Sequence, residues 1–326
     1  MSDLQLRAIA PHERDAVLDL LRDWFGDREF FARYFRHDPA FRDDLCFVAV
    51  DGRRIVSTLQ VFRKRVRLNG TAVEVAGVGN VFTAADYRER GVSSALLTTA
   101  LAAMEEHEFD LSLLFAVRLA FYGRLGWQSH VRHLVFIEPQ ATTVEGPYQI
   151  EPFAMGDLDA IAQIYDGDSG RFPGSTVRDA AYWKGQLHYA GNPHEDFLVA
   201  RAADGQIMAY ARGTPLFDFY VVMEHGRRPG ADDALAQLIH RLHGHEASAY
   251  PGTLTQLAVA PEVQSRLRAQ GLQLRTTEDV FWMWRILSPQ RLASKLGMSV
   301  EELESDGIFY KLLPPEQSVY WLADRF

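Results

Sequence analysis

The chain has 326 residues, 47% apolar and 24% charged, a balance that suits globular domains and excludes a low-complexity or fibrous chain. Its net charge of -9 argues against a nucleic-acid partner and is compatible with cationic substrates. One cysteine, Cys46, excludes an intramolecular disulfide. With no signal-like start and no apolar run long enough for a bilayer, the expectation is a cytoplasmic protein without a membrane partner.

In chain order, LQLRAI (4–9) alternates as a strand does, and 11–24 follows as a helix with Val17, Leu18, Leu21 and Trp24 at helical spacing. CFVAV (46–50), Asp51-Gly52 and IVSTLQVFRKRVRL (55–68) predict a hairpin, and Asn69-Gly70 predicts a second turn into TAVEVAGVGNVFT (71–83). Arg63-Lys64-Arg65 reads as an outward strand face. Cys46 reads as a small buried strand residue.

The next segment is YRERGVSSALLTTALAAMEE (87–106), a helix through Glu106. Helices usually start on Ser, Thr, Asp or Asn, yet here two arginines and a glycine precede the first turn. Positive charge at that end opposes the helix dipole. An anion held jointly by the N–H groups, Arg88 and Arg90 would reverse that cost, and a phosphate is the first expectation. A strand, LSLLFAV (111–117), a short helix, LAFYGRL, ended by Gly126, and a strand through HLVFIEP (133–139) complete an α/β layered unit.

The second part echoes the first in the same order. Ile150 to Phe153 with a helix from Asp157 repeats the opening; FLVARAADGQI (197–207) repeats FVAVDGRRI; RRPGADDALAQLIHRL (227–242) repeats the Arg-Gly helix start; LRAQGLQL (267–274) repeats YGRLGWQS. ATTVEGP (141–147) is the linker. The second copy of the loop runs into Asp232-Asp233, two carboxylates where phosphates would sit, so it reads as a silent structural copy. Helices are predicted at 288–297, with Ser288 as cap and Pro289 at its first position, and at 299–305. The aromatic terminus, ending VYWLADRF, is expected to dock onto the body of the protein.

Arg88-Glu89-Arg90-Gly91-Val92-Ser93, with a strand before it, a helix after it and AFYGRLGW downstream, resembles the pyrophosphate loop of the GNAT acyltransferase superfamily. Ser93 departs from the small Gly or Ala usual there. With two GNAT-like halves and a further C-terminal region, the chain resembles the Eis (enhanced intracellular survival) acetyltransferases. That resemblance implies tandem GNAT-like domains, each with a mixed central sheet flanked by helices: 1–140 active, 148–286 with a degenerate cofactor site, and a short C-terminal region, 287–326, in place of a longer sterol-carrier-like domain. It implies acetyl-CoA as donor, no metal, and a small-molecule or peptide amine as acceptor. Val81, Phe82 and Thr83 would bind the acyl and pantetheine part; Arg88, Glu89, Arg90, Gly91, Val92, Ser93 and Ser94 the pyrophosphate. Tyr122 would be the general acid and the carboxylate of Phe326 a base. A homo-oligomer is compatible with this reading, and the alternatives are a non-catalytic acyl-CoA-binding or regulatory module and a transferase using a longer acyl-CoA.

Weaker candidates are a metal site at His240, His243 and His245 or at His130 and His133, for which no third ligand follows at a metal-like spacing. Glu13, Asp23, Asp27 and Glu29 read either as acceptor-recognising acids or as a solvated helix face.

Overall fold

A computed structural model of the chain describes residues 4–140, 146–190, 195–216, 218–246 and 249–326, so linker positions 141–145 lie outside the described residues. The strands are β1 (Gln5–Ala8), β2 (Cys46–Asp51), β3 (Arg54–Leu68), β4 (Thr71–Thr83), β5 (Leu111–Phe115), β6 (Gln128–Ile137), β7 (Gln149–Pro152), β8 (Asp196–Arg201), β9 (Ile207–Leu216), β10 (Phe219–Arg227), β11 (Thr253–Thr255) and β12 (Leu274–Ile286). The helices are α1 (Arg14–Phe25), α2 (Arg28–His37), α3 (Val92–Glu106), α4 (Leu119–Gly123), α5 (Leu158–Asp168), α6 (Ala180–Tyr189), α7 (Asp232–Glu246), α8 (Pro261–Ala269), α9 (Pro289–Leu296), α10 (Val300–Leu303) and α11 (Ile308–Leu312). None is long and apolar enough to cross a membrane.

All the strands join one 12-stranded mixed sheet in the order β1-β2-β3-β4-β5-β12-β6-β11-β10-β9-β8-β7. The β3–β4 hairpin closes on Asn69 (φ 47°) and Gly70 (φ 75°), the paired left-handed residues that a twisted two-residue turn requires. At the centre of the sheet the halves exchange strands. β12, from the second half, lies between β5 and β6, while β6, from the first half, pairs with β11.

Within each half two neighbouring strands run parallel and then part. β4 pairs with β5 only over Val75–Val78 and Leu111–Leu114, and the β3–β4 register then slips around Asn80. In the second half β10 pairs with β11 over Tyr220–Val222 and Thr253–Thr255, and the β9–β10 register slips between Val222 and Glu224. Each half therefore has a gap beyond its parallel pair, next to a bulge.

One face of the first half is closed by α3, whose Leu96, Leu97, Ala100 and Met104 pack on Leu59, Val61, Ala76, Val78 and Leu114. The opposite face is closed by the C-terminal region, where Leu292, Leu303, Ile308, Phe309 and Leu312 cover Val66, Val73, Val75, Leu113, Trp282 and Trp284. α7 covers the second half with Leu235, Leu238 and Ile239.

Two features depart from the sequence reading. Lys64 does not face outward: it is 1% exposed, at the junction of the halves, and donates to Tyr182 Oη at 3.0 Å. Burial pulls its pKa below the ordinary lysine value, opposed by Asp38 and Asp324. The second feature is α2, capped by the Asp27 side chain on the Glu29 N–H, which the sequence reading left unassigned; it packs against α6 across the halves, where His37 and His188 stack at 4.2 Å.

Candidate active site

The site is built around the end of β4. Asn80, at φ 53°, occupies the left-handed region and donates through its side chain to Gln60 Oε1 at 2.9 Å. Thr58 pairs with Phe82 and Gln60 with Gly79, so Asn80 and Val81 are left out of the β3 register. A bulge of this kind turns peptide groups out of the ladder and into the adjoining space. Val81 joins the cluster on the α3 side, whereas Phe82 turns to the α1–α2 side beneath Trp24, with ring centroids 6.0 Å apart. The Thr83 hydroxyl shares hydrogen bonds of 2.7 Å with Ser57 and with Ser93, which ties the strand end to the first turn of α3.

The loop into α3 is held open by backbone geometry. Glu89 (φ 62°) and Gly91 (φ 77°) are both left-handed, and Gly91 stands at the N-cap with no side-chain cap. The first bond into the helix is from the Ala95 N–H to Gly91 O, so Val92, Ser93 and Ser94 have N–H groups with no partner inside the helix. Arg88 and Arg90 are exposed; Arg88 donates to Thr83 O at 3.1 Å and lies over the Phe82 ring, and Arg90 lies over Tyr87. Two cations, the first N–H groups of the helix and the positive end of a 15-residue helix thus lie together, an arrangement whose electrostatics favour an anion. Ser93 is compatible with it, because its hydroxyl is engaged by Thr83 and its backbone N–H remains at the helix start.

Tyr122 lies on α4, in the cluster with Val78, Val81, Ala116 and Trp127, edge-on to Phe121 at 4.9 Å and to Trp127 at 6.1 Å. Burial pushes its phenol up to about 12, with a small opposing effect from Arg118. It is therefore a protonated hydroxyl across the neutral range.

Phe326 reaches the opposite side of β4. Its ring stacks on Phe62 at 5.3 Å and lies 5.4 Å from Phe115. A Cβ on Gly77 would meet that ring at 2.5 Å, and a Cβ on Gly79 would lie 3.4 Å from the Phe326 backbone carbonyl carbon. The two glycines of VAGVGN thus admit the end of the chain to the strand beside the bulge. Gly77→Ala is expected to destabilise the fold by about 1–3 kcal/mol through overpacking. Urea unfolding measures this, and unchanged stability would mean that the ring is not seated there.

The matching loop of the second half is closed by its own side chains. Arg227 donates to Asp232 Oδ1 at 2.6 Å and, through its N–H, to Asp168 Oδ2 at 3.0 Å. A cleft of about 430 Å³ remains beside Arg171, Arg228 and Gly230, but Asp168, Asp232 and Glu262 also line it. Leu267, the counterpart of Tyr122, is fully buried in α8.

Residues 5–129 match the family described as acetyltransferase (GNAT) domain. The chain carries a GNAT acetyltransferase domain. An uncharacterised N-acetyltransferase of Streptomyces griseus is 25% identical over 176 residues, 49% of this chain and 42% of that protein, so the chain spans less than half the length of this relative. A probable N-acyltransferase of Enterococcus faecalis superposes with a TM-score of 0.68 at 16% identity, covering 90% of this chain and 75% of that one. Eis1 of Mycobacterium abscessus superposes at 0.57 with 13% identity, covering 88% and 75%. These two structures share the fold of the GNAT domain and of the half that follows it.

The other candidates fall away from the GNAT site. His240 Nδ1 lies 3.1 Å from Gln270 and His243 Nδ1 2.9 Å from Thr253, while the His245 side chain lies outside the described residues. His130 is buried beside Tyr310, apart from His133 near Glu316, and no metal-like cluster occurs among the described residues. Glu13 is tied to Arg7 and the Ala10 N–H, and Asp27 caps α2. Sequence reasoning passed over Tyr34, which reaches from α2 to donate to Arg325 O at 3.3 Å, and the buried Arg178–Asp324 pair. Nothing local in either segment signals a partner so distant in the chain.

Proposed function

We propose that the chain is an acyl-CoA-dependent N-acyltransferase, with acetyl-CoA as donor and a primary amine of a small molecule or peptide as acceptor. The observation that carries this reading is the parting of β4 and β5 beyond Val78 and Leu114, with the uncapped start of α3 nearby, Tyr122 on one face and Phe326 on the other. The cradle formed by Arg88 to Ser94 takes the pyrophosphate. Val81, Phe82 and Thr83 take the pantetheine and acyl part along the released strand.

In the ternary complex the amine nitrogen attacks the thioester carbonyl carbon directly. Backbone N–H groups at the Asn80–Val81 bulge receive the developing oxyanion. The C–N bond forms, the C–S bond breaks, and the departing thiolate takes the Tyr122 phenolic proton. The proton lost by the amine passes to the Phe326 carboxylate. Burial that weakens Tyr122 as an acid also raises the basicity of a thiolate leaving in the same dry surroundings, so the two remain matched. The second half takes no part in donor binding, because Arg227 is neutralised by Asp168 and Asp232.

Release of free CoA thiol is the test. With acetyl-CoA alone the release is expected to be slow; with a panel of amines it should rise with at least one of them and match the acetylated product mole for mole. Saturable CoA binding without acetylated product across the panel would favour the non-catalytic module instead.

A further inference from the structure

The gap in the second half is not open. Its edges are β10 beyond Val222, carrying Glu224 and His225, and Gln256, which follows β11. The terminal segment bridges them: Trp321 packs on His225 with rings 4.6 Å apart, and Gln256 Nε2 donates to Tyr320 O at 2.9 Å. Trp321 Nε1 donates to Ser169 Oγ at 3.0 Å, and Val319, Tyr320, Trp321 and Ala323 are all buried.

Asp324, fully buried, is held by three side chains. Arg178 donates to both of its carboxylate oxygens, at 3.0 and 2.8 Å, and to both of those of Glu224, at 2.9 and 2.7 Å. Tyr182 Oη donates to Asp324 Oδ1 at 2.9 Å, and Gln186 Nε2 donates to Oδ1 and to Ala323 O at 3.0 Å. From Asp324 only Arg325 intervenes before the terminal carboxylate at Gly79. Two residues span at most about 7 Å, so a shift at Asp324 passes directly to that carboxylate.

We propose that the second half serves as a clamp: its strand gap, the counterpart of the donor gap in the first half, is filled by the chain's own terminus, and Arg178 is a positioning residue that sets the Phe326 carboxylate through Asp324. This rests on the acyltransfer reading only for what the carboxylate does. It explains why a half whose anion loop is closed by its own acids still presents a buried arginine at its strand gap.

Asp324→Asn keeps the side-chain shape and leaves Arg178 paired with Glu224. The clamp predicts that carboxypeptidase releases Phe326 at least tenfold faster from this variant than from the unmodified chain. It also predicts kcat lower by about 100-fold, the scale of a ~1 Å misplacement, with KM for acetyl-CoA unchanged. A fold contact alone would not separate kcat from KM in this way. In the unmodified chain, hydrogen exchange at 320–325 is expected to be as slow as in β10, a readout that needs no variant to fold. Exchange at the rate of a free terminus, or an Asp324→Asn chain digested and turning over as the unmodified one does, overturns the clamp. If the unmodified chain acetylates no amine, the functional reading fails, while exchange and digestion still decide the clamp.

Discussion

Tyr122→Phe is expected to lower kcat by about 10²–10⁴-fold while leaving acetyl-CoA affinity unchanged, the size of effect associated with loss of a positioned general acid. The ring is seated by Phe121 and Trp127, and the substitution removes one oxygen without opening a cavity in that packing. The pH dependence gives a second check. Burial raises the phenol to about 12, so the acid form is present below that value and is lost only as pH rises through it. Tyr122 therefore does not impose an alkaline limb on the rate between neutrality and about 12. Full turnover by Tyr122→Phe with an unchanged pH profile would remove the phenol from the mechanism.

Extending the chain beyond Phe326 is expected to cost a comparable ~10²–10⁴-fold in kcat, because a peptide bond replaces the carboxylate that receives the amine's proton. The added residues would also start beside Gly79, where the terminal carbon already lies 3.4 Å from the position of a Cβ. The two causes separate with pH. If proton removal is what fails, the loss shrinks as pH rises and solvent hydroxide takes over the nitrogen's proton. If the added residues merely block the acceptor, the loss persists at every pH. Undiminished rates at neutral pH would show that the terminal carboxylate takes no part.

The features that argue for an anion at the start of α3 are local: two arginines and a glycine stand where a capping side chain belongs, and no distant partner is needed to see them. Tyr122 was singled out by the resemblance of AFYGRLGW to a superfamily element, and its role is a proposal; the docked terminus was legible through aromatic residues too numerous for a solvated tail. The repeat was legible as ordered echoes, but not the exchange of β6 and β12, because strand pairing between halves leaves no periodic trace in either strand. Lys64 was misplaced for the same reason. Its neighbours alternate like an outward face, and only the arrival of Tyr182, 118 residues away, makes the position interior. The Arg178–Asp324 pair spans 146 residues and was invisible to any local pattern.

The central claim, that the start of α3 is a donor site in the first half alone, is tested most directly by calorimetric titration with acetyl-CoA. The unmodified chain would be compared with an Arg88→Glu/Gly91→Glu double variant. Gly91 is left-handed, and the added carboxylates would themselves satisfy the positive end of the helix and repel phosphates from it. The account predicts one site per chain, absent in a variant that keeps its fold by circular dichroism. Two sites, or binding that survives the double substitution, would contradict it.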